Sequence, residues 1–382
     1  MAYRPGGEEM VKRFCFVALL LHMIFLYGCG DGGGGSWSGL PEWTIVVFMN
    51  DSDVNARELA GIDIYEMRRV GSTDHVKIIV QRVSETGRGM VRYLVEKGNL
   101  KLLDVLPDAS STSSEALLSL FNWCVENYSA EKYALILWER GHKDIWEGMV
   151  EWVNLVKAFS SLSSKIDLLV FDSSAKAELE LLDEVKNYAS VVVALQGVMP
   201  DDGFDYEEIL SKVVKNPSCG STNFGSYFFD SFKNLYSQRN DVAISVISLA
   251  KLSNLLTCLD DLGTDLLNFN DTLALWMVIA QVQPYFISPG ESPCFKDLYD
   301  FCEKIGSLNV GESTKKKIES LKKSIKEAVL YEWHPTNGIF RSSHGLSLYI
   351  YSLEGKEGVY DSLAIAEDAR SWYEFIKTKL GR

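Results

Sequence analysis

Two short polar clusters follow long apolar runs: Glu139-Arg140-Gly141-His142 after residues 133–138 (YALILW), and Asp172-Ser173-Ser174 after residues 167–171 (DLLVF). A serine hydroxyl becomes a useful nucleophile only beside a base, and His142 is the imidazole within these clusters. If the chain from Arg140 stays extended, residues 140 and 142 point to one side about 7 Å apart, and His142 could pair with Ser174. Gly141 favours a turn there instead, and an isolated loop histidine also reads as plain polar surface. Other chemistries lack their residues. There is no CxxC, HExxH or phosphate-binding loop, and Gly87-Arg88-Gly89 is too short to cradle a dinucleotide, so neither metal nor cofactor is expected. Beyond Cys15 and Cys29, five cysteines remain (Cys124, Cys219, Cys258, Cys294 and Cys302), and an odd number is not a disulfide framework. Cys294 and Cys302 fall about 12 Å apart along a helix, beyond disulfide reach. Cys219, in a Pro-Ser-Cys-Gly turn, has no histidine near it in sequence and reads as a bystander.

The elements that position the clusters follow from periodicity. Residues 43–50 (WTIVVFMN), 76–83 (VKIIVQRV), 133–138, 167–171 and 191–195 (VVVAL) are apolar runs of strand length, and 90–96 alternates like an edge strand. Between them, 56–70, 113–128, 149–162 and 175–189 carry helical spacing. Such alternation predicts an α/β fold with a mostly parallel central sheet flanked by helices. Chemistry then gathers at the carboxyl ends of the strands, where both polar clusters fall. Residues 42–205 are expected to form this sheet-rich core. Residues 206–382 are expected to be a helix-rich elaboration (206–215, 224–236, 252–283, 295–305, 314–330 and 367–380) with a last strand at 345–351 (GLSLYIY).

The start of the chain is a targeting signal in layout. Lys12 and Arg13 precede an apolar run over 14–27, too short for a spanning helix of about 20 residues. The run ends at Leu26-Tyr27-Gly28-Cys29, which resembles the processing site of bacterial lipoproteins, with Cys29 as the lipidated residue. An uncleaved N-terminal anchor is the other reading, and either one exports and tethers the domain. Residues 1–28 would be the signal and 29–41 the lipidated cysteine with a glycine-rich tether. A formal net charge of −14 argues against a nucleic-acid partner and mildly favours a basic one.

Several blocks together resemble the clostripain family of cysteine endopeptidases: WTIVVFMN, the helix ending Glu66-Met67-Arg68-Arg69-Val70-Gly71, YALILWERG, KIDLLVFD, ALQGVMPDDG and SHGLSLYIY. The resemblance spans residues 42–382 and implies a caspase-like fold. It also implies a catalytic histidine at position 140 and a nucleophilic cysteine at position 174. This sequence has Arg140 and Ser174 there. A guanidinium stays protonated and cannot serve as acid or base, so an inactive relative is expected. The resemblance further implies an acidic pocket for a basic residue, with Asp172 and Asp202 at matching positions. Asp172 also reads as a cap for a helix beginning at Ala175. The expected function is therefore recognition of Arg- or Lys-bearing segments of exported or surface proteins. The alternatives are cleavage after such residues by a rearranged site, or a purely structural lipoprotein. Calcium dependence is implied by the resemblance only, since no ligand loop is recognisable.

Overall fold

The computed structural model describes residues 39–51, 54–83, 88–110, 113–140, 145–286 and 294–381. The first strands and helices are β1 (Trp43–Asn50), α1 (Val54–Val70), β2 (Val76–Val83), β3 (Met90–Glu96), β4 (Asn99–Leu106) and α2 (Ser114–Asn127). They continue as β5 (Lys132–Glu139), α3 (Ile145–Val156), β6 (Ile166–Asp172), α4 (Leu179–Val185) and β7 (Ala189–Leu195). Then come α5 (Tyr206–Lys215), α6 (Ser221–Leu235), β8 (Ile244–Ser248), α7 (Leu252–Leu267), α8 (Thr272–Ile279), β9 (Phe295–Asp297) and α9 (Leu298–Gly306). The chain closes with α10 (Glu312–Ala328), β10 (Val329–Trp333), β11 (Ser347–Tyr349) and three helices, α11 (Glu357–Tyr360), α12 (Ile365–Asp368) and α13 (Arg370–Lys379).

A nine-stranded sheet runs β10-β8-β7-β6-β5-β1-β2-β3-β4. Its five central strands, β7 to β2, pair in parallel, and the pairs outside them are antiparallel. Period-two alternation divides the central strands between two apolar layers. Val46, Phe48, Leu135, Leu137 and Phe171 face one layer, which includes side chains of α2, α3, α4 and α7. Ile45, Val47, Ala134, Trp138, Leu168 and Val170 face the other, with α1, α5 and α6. Each buried aliphatic side chain stabilises the sandwich by about 1.5–3 kcal/mol before its entropy cost.

Several expectations are corrected. The edge strand is β4, not β3, because Gly98 at φ +75° closes a tight hairpin and lays 99–106 outside 90–96. The sheet does not stop at residue 205, since β8 and β10 extend it. The expected strand at 345–351 shortens to β11, which pairs with β9 in a separate two-stranded sheet. The first three residues of the expected 295–305 helix are consumed by that pairing. The expected helix over 252–283 breaks in two where Asp271 caps α8 by accepting from Ala274 N at 2.9 Å. The helix expected from Ala175 begins only at Leu179, because the amides of Ala175, Lys176 and Ala177 donate instead to the carbonyls of Gly197 and Leu195. No disulfide joins any two of the five described cysteines. Burial pushes the Cys124 thiol up to about 12 and raises that of Cys219, so neither is an activated nucleophile.

One buried acid sets a pH response. Glu180 of α4 accepts from Tyr349 N at 2.9 Å and from the Tyr360 hydroxyl at 3.0 Å, while its Oε2 has no hydrogen-bond partner. Burial pushes its carboxyl up to about 7. A raised carboxyl favours the folded state while protonated, and that contribution is lost as pH rises from the unfolded value near 4.5 through 7. Glu180→Gln keeps an acceptor without the charge. Its melting temperature should therefore fall less than the parent's between pH 6 and 8. Parallel slopes for the two proteins would show that Glu180 does not titrate in this range.

Candidate functional site

Strands β5 and β6 lie side by side in parallel with Trp138 opposite Asp172. Alternation therefore sends Trp138, Arg140 and Asp172 to the α1/α5 side of the sheet, and Glu139 and Ser173 to the other. The contacts follow this division. Glu139 accepts from Asn50 Nδ2 at 2.9 Å, from Trp152 Nε1 at 3.0 Å and from the Ser173 hydroxyl at 3.4 Å. On the opposite side Arg140 lies buried in a cluster of acceptors.

Arg140 Nη1 donates to Asp172 Oδ1 at 2.8 Å and Nη2 to Asp172 Oδ2 at 3.2 Å, a bidentate pair. Nη1 also donates to the carbonyls of Asp172 at 2.9 Å and Glu139 at 3.1 Å. Nη2 reaches Asp63 Oδ2 and Nε the Asp201 carbonyl, each at 3.4 Å. The guanidinium carbon sits 4.5 Å from the centre of the Trp138 ring, a cation–π contact. Tyr206 donates its hydroxyl to Asp172 Oδ2 at 2.7 Å, and Trp138 Nε1 donates to Asp63 Oδ2 at 2.6 Å.

Two carboxyls and one guanidinium share this buried space, and their charges balance if one acid keeps its proton. Burial, with the Asp172 charge added, pushes the Asp63 carboxyl up to about 8. Burial alone would disfavour the Arg140 cation, but Asp172 and Asp63 outweigh it and hold its pKa above the ordinary value. Arg140 thus pairs by its bidentate edge with Asp172, beside an Asp63 carboxyl that holds its proton far more tightly than an exposed acid.

Ser174 is buried at the start of the connection after β6. Its hydroxyl oxygen accepts from Met199 N at 2.9 Å, and its carbonyl accepts from Lys176 Nζ at 2.9 Å. Ala175 follows at φ +47°, the left-handed region that a non-glycine residue enters at a cost of about 1–2 kcal/mol. Asp172 does not cap the helix that follows it, since α4 begins at Leu179 with Glu178 at its N-cap. Asp202 is exposed on the turn closed by the Gly203 amide donating to the Pro200 carbonyl at 2.9 Å, so it and Asp172 occupy different environments. His142 and Cys29 lie outside the described residues. Among the described residues no cluster of three His, Cys, Asp or Glu side chains is arranged to hold an ion, so none is assigned to calcium.

Sequence reasoning missed Asp63, Tyr206 and Gly203. Asp63 was findable: it continues the buried stripe Ala56, Ala60, Ile64 and Met67 of α1, where an acid must have a partner. Gly203, at φ +64°, packs so closely on Arg140 that an added Cβ would lie 2.0 Å from Nη2. Tyr236 fixes that turn by donating to the Gly203 carbonyl at 2.6 Å.

A parallel core with antiparallel flanks, covered by helices on both faces and gathering polar residues at the ends of β5 and β6, is the caspase-like peptidase architecture. The chain belongs to the clostripain family, whose profile matches residues 47–377. It is 24% identical over 362 residues to clostripain of Hathewaya histolytica, covering 75% of this chain and 68% of that protein. Among solved structures it is similar to an inactive zymogen of a C11 protease from Parabacteroides distasonis. That match has 17% identity and a TM-score of 0.70, and covers 87% of this chain and 99% of the other. It is also similar to iotapain, a secreted C11 cysteine protease from Bacteroides thetaiotaomicron, with 16% identity, a TM-score of 0.68 and coverage of 87% and 99%. These likenesses establish the shared fold.

Proposed function

We propose that this clostripain-family chain is an exported, lipid-anchored protein without peptidase activity that recognises basic segments of exported or surface proteins. One observation carries the loss of activity: the position where an imidazole is implied holds Arg140, locked in a buried ion pair with Asp172. A thiol–imidazole pair works because the imidazole takes and returns a proton, and a guanidinium held above its ordinary pKa does neither. A nucleophilic hydroxyl hands its proton to a base, whereas the Ser174 hydroxyl oxygen is held as an acceptor by the Met199 amide. Cleavage of Arg- and Lys-containing fluorogenic peptides by residues 37–382 should not exceed that of Ser174→Ala. Turnover abolished by Ser174→Ala would instead establish a serine nucleophile.

Recognition of basic segments is supported by the acids outside the cluster. Glu66 accepts from Tyr206 N at 2.9 Å, and burial together with the charges of Asp205, Glu207 and Asp202 pushes its carboxyl up to about 7. A cation brought to this rim relieves the repulsion and draws a proton off Glu66. Affinity for an Arg/Lys peptide should therefore weaken in Asp202→Asn and strengthen from pH 6 to 8. Affinity unchanged by both would favour a purely structural lipoprotein. Among the described residues no helix is long and apolar enough to cross a membrane; tethering in this proposal is through Cys29. Metabolic labelling with a fatty acid, lost in Cys29→Ser, tests it.

A further inference from the structure

The Arg140 environment is more complete than an ion pair requires. A guanidinium carries five N–H donors in a rigid plane, and few sites satisfy such a fork. Here two oxygens of Asp172 meet its bidentate edge, three backbone carbonyls and Asp63 take other donor directions, and the Trp138 ring covers one face. The second wall is the Gly203 turn, where a methyl group would collide with Nη2. The supporting groups are themselves held in place: Asp172 by Tyr206, Asp63 by Trp138, and the turn by Tyr236. None of these contacts is selective for Arg140 as a residue. All are selective for the shape and charge of its head group.

We infer that this cradle is a guanidinium-binding site which the chain fills with its own Arg140, an internal ligand that shuts out the arginine side chains of other proteins. The inference does not depend on whether the chain cleaves peptides or binds them at its acidic rim. It explains why Asp172 is not available to a partner as the parent protein stands. A basic segment meets only the outer carboxylates unless Arg140 leaves. Lysine would fill the cradle poorly, because an ammonium is a compact charge that can satisfy neither the bidentate edge nor the stacking face.

The test uses Arg140→Ala, which deletes the equivalent of N-ethylguanidinium. The variant should melt several degrees below the parent, and millimolar N-ethylguanidinium should raise its melting temperature saturably. Ethylammonium should act at least about tenfold more weakly, since it lacks the planar fork. The parent should respond to neither cation at these concentrations, and Arg140→Ala/Asp172→Asn should lose the rescue. If Arg140→Ala does not refold in buffer, its refolding yield with each cation becomes the readout. A second arm uses Gly203→Ala. It should destabilise the parent more than it destabilises Arg140→Ala, because backbone strain is common to both backgrounds and only the collision with Nη2 differs. Rescue that is absent, or equal for the two cations, overturns the inference. So does a Gly203→Ala cost that is the same in both backgrounds.

Discussion

Arg140→Ala should lose about 3–5 kcal/mol of folding stability near pH 8, the usual cost of removing one partner from a buried ion pair. The cause is less the lost attraction than the carboxylate left behind, since Asp172 is fully buried and among the described residues would retain only the Tyr206 hydroxyl as a side-chain partner. The pH dependence distinguishes this account from a simple cavity. Without the cation, Asp63 loses the charge that lowers its pKa and binds its proton more readily in the folded state, so its folded value rises further. Stability is then greatest at low pH and is lost as pH climbs through that value. Asp172→Ala should behave oppositely. There Asp63 keeps Arg140 and loses the like charge that helps to raise it, so its folded value falls and stability grows with pH relative to the parent. Urea unfolding at pH 5 and 8, followed by tryptophan fluorescence, would reveal the two slopes. If both variants lose the same amount at both pH values, the cluster is held by packing and not by charge.

How much of this was legible in the residues can be argued from the same cluster. The apolar runs gave the central strands because parallel strands buried on both faces leave an unbroken apolar signature. Strand parity alone could have placed Trp138, Arg140 and Asp172 on one side of the sheet and Glu139 on the other. The positions of Arg140, Ser174, Asp172 and Asp202 were all named from sequence, but the pairing of the first with the third was not. Spacing shows which residues reach a strand end, yet not which way a long, flexible side chain turns there. Asp63 was readable as a buried acid of α1, but its pairing with Arg140, like the arrival of Tyr206 from α5, is set by tertiary packing that no spacing records. β8 and β10 were missed because each lies beside helical sequence: Ile244–Ser248 runs directly into a helical turn, and Val329–Trp333 continues without a break from α10. β9 is too short for any period to declare itself.

The largest change in activity should come from reversing both substitutions at once. Positions 140 and 174 each lie two residues beyond the Trp138–Asp172 pair, just past the ends of neighbouring strands that run roughly 4.8 Å apart. A thiol and an imidazole placed there start within reach of one another. Arg140→His also empties the guanidinium cradle, so a substrate arginine could meet Asp172. Neither change suffices alone. Ser174→Cys leaves a thiol facing a guanidinium that cannot act as its base, beneath an occupied pocket, and Arg140→His leaves a hydroxyl whose oxygen is engaged by the Met199 amide. The double variant should cleave Arg-containing fluorogenic peptides at least about 10³-fold faster than either single variant, reflecting the non-additivity of groups that act as a unit. Alkylation of the new Cys at position 174 should abolish the gain. A double variant that is folded, judged by circular dichroism and a cooperative melt, yet no faster than Ser174→Ala would locate the block elsewhere. The left-handed backbone at Ala175 and the Met199 contact would then be the features that keep residue 174 out of reach of a substrate carbonyl.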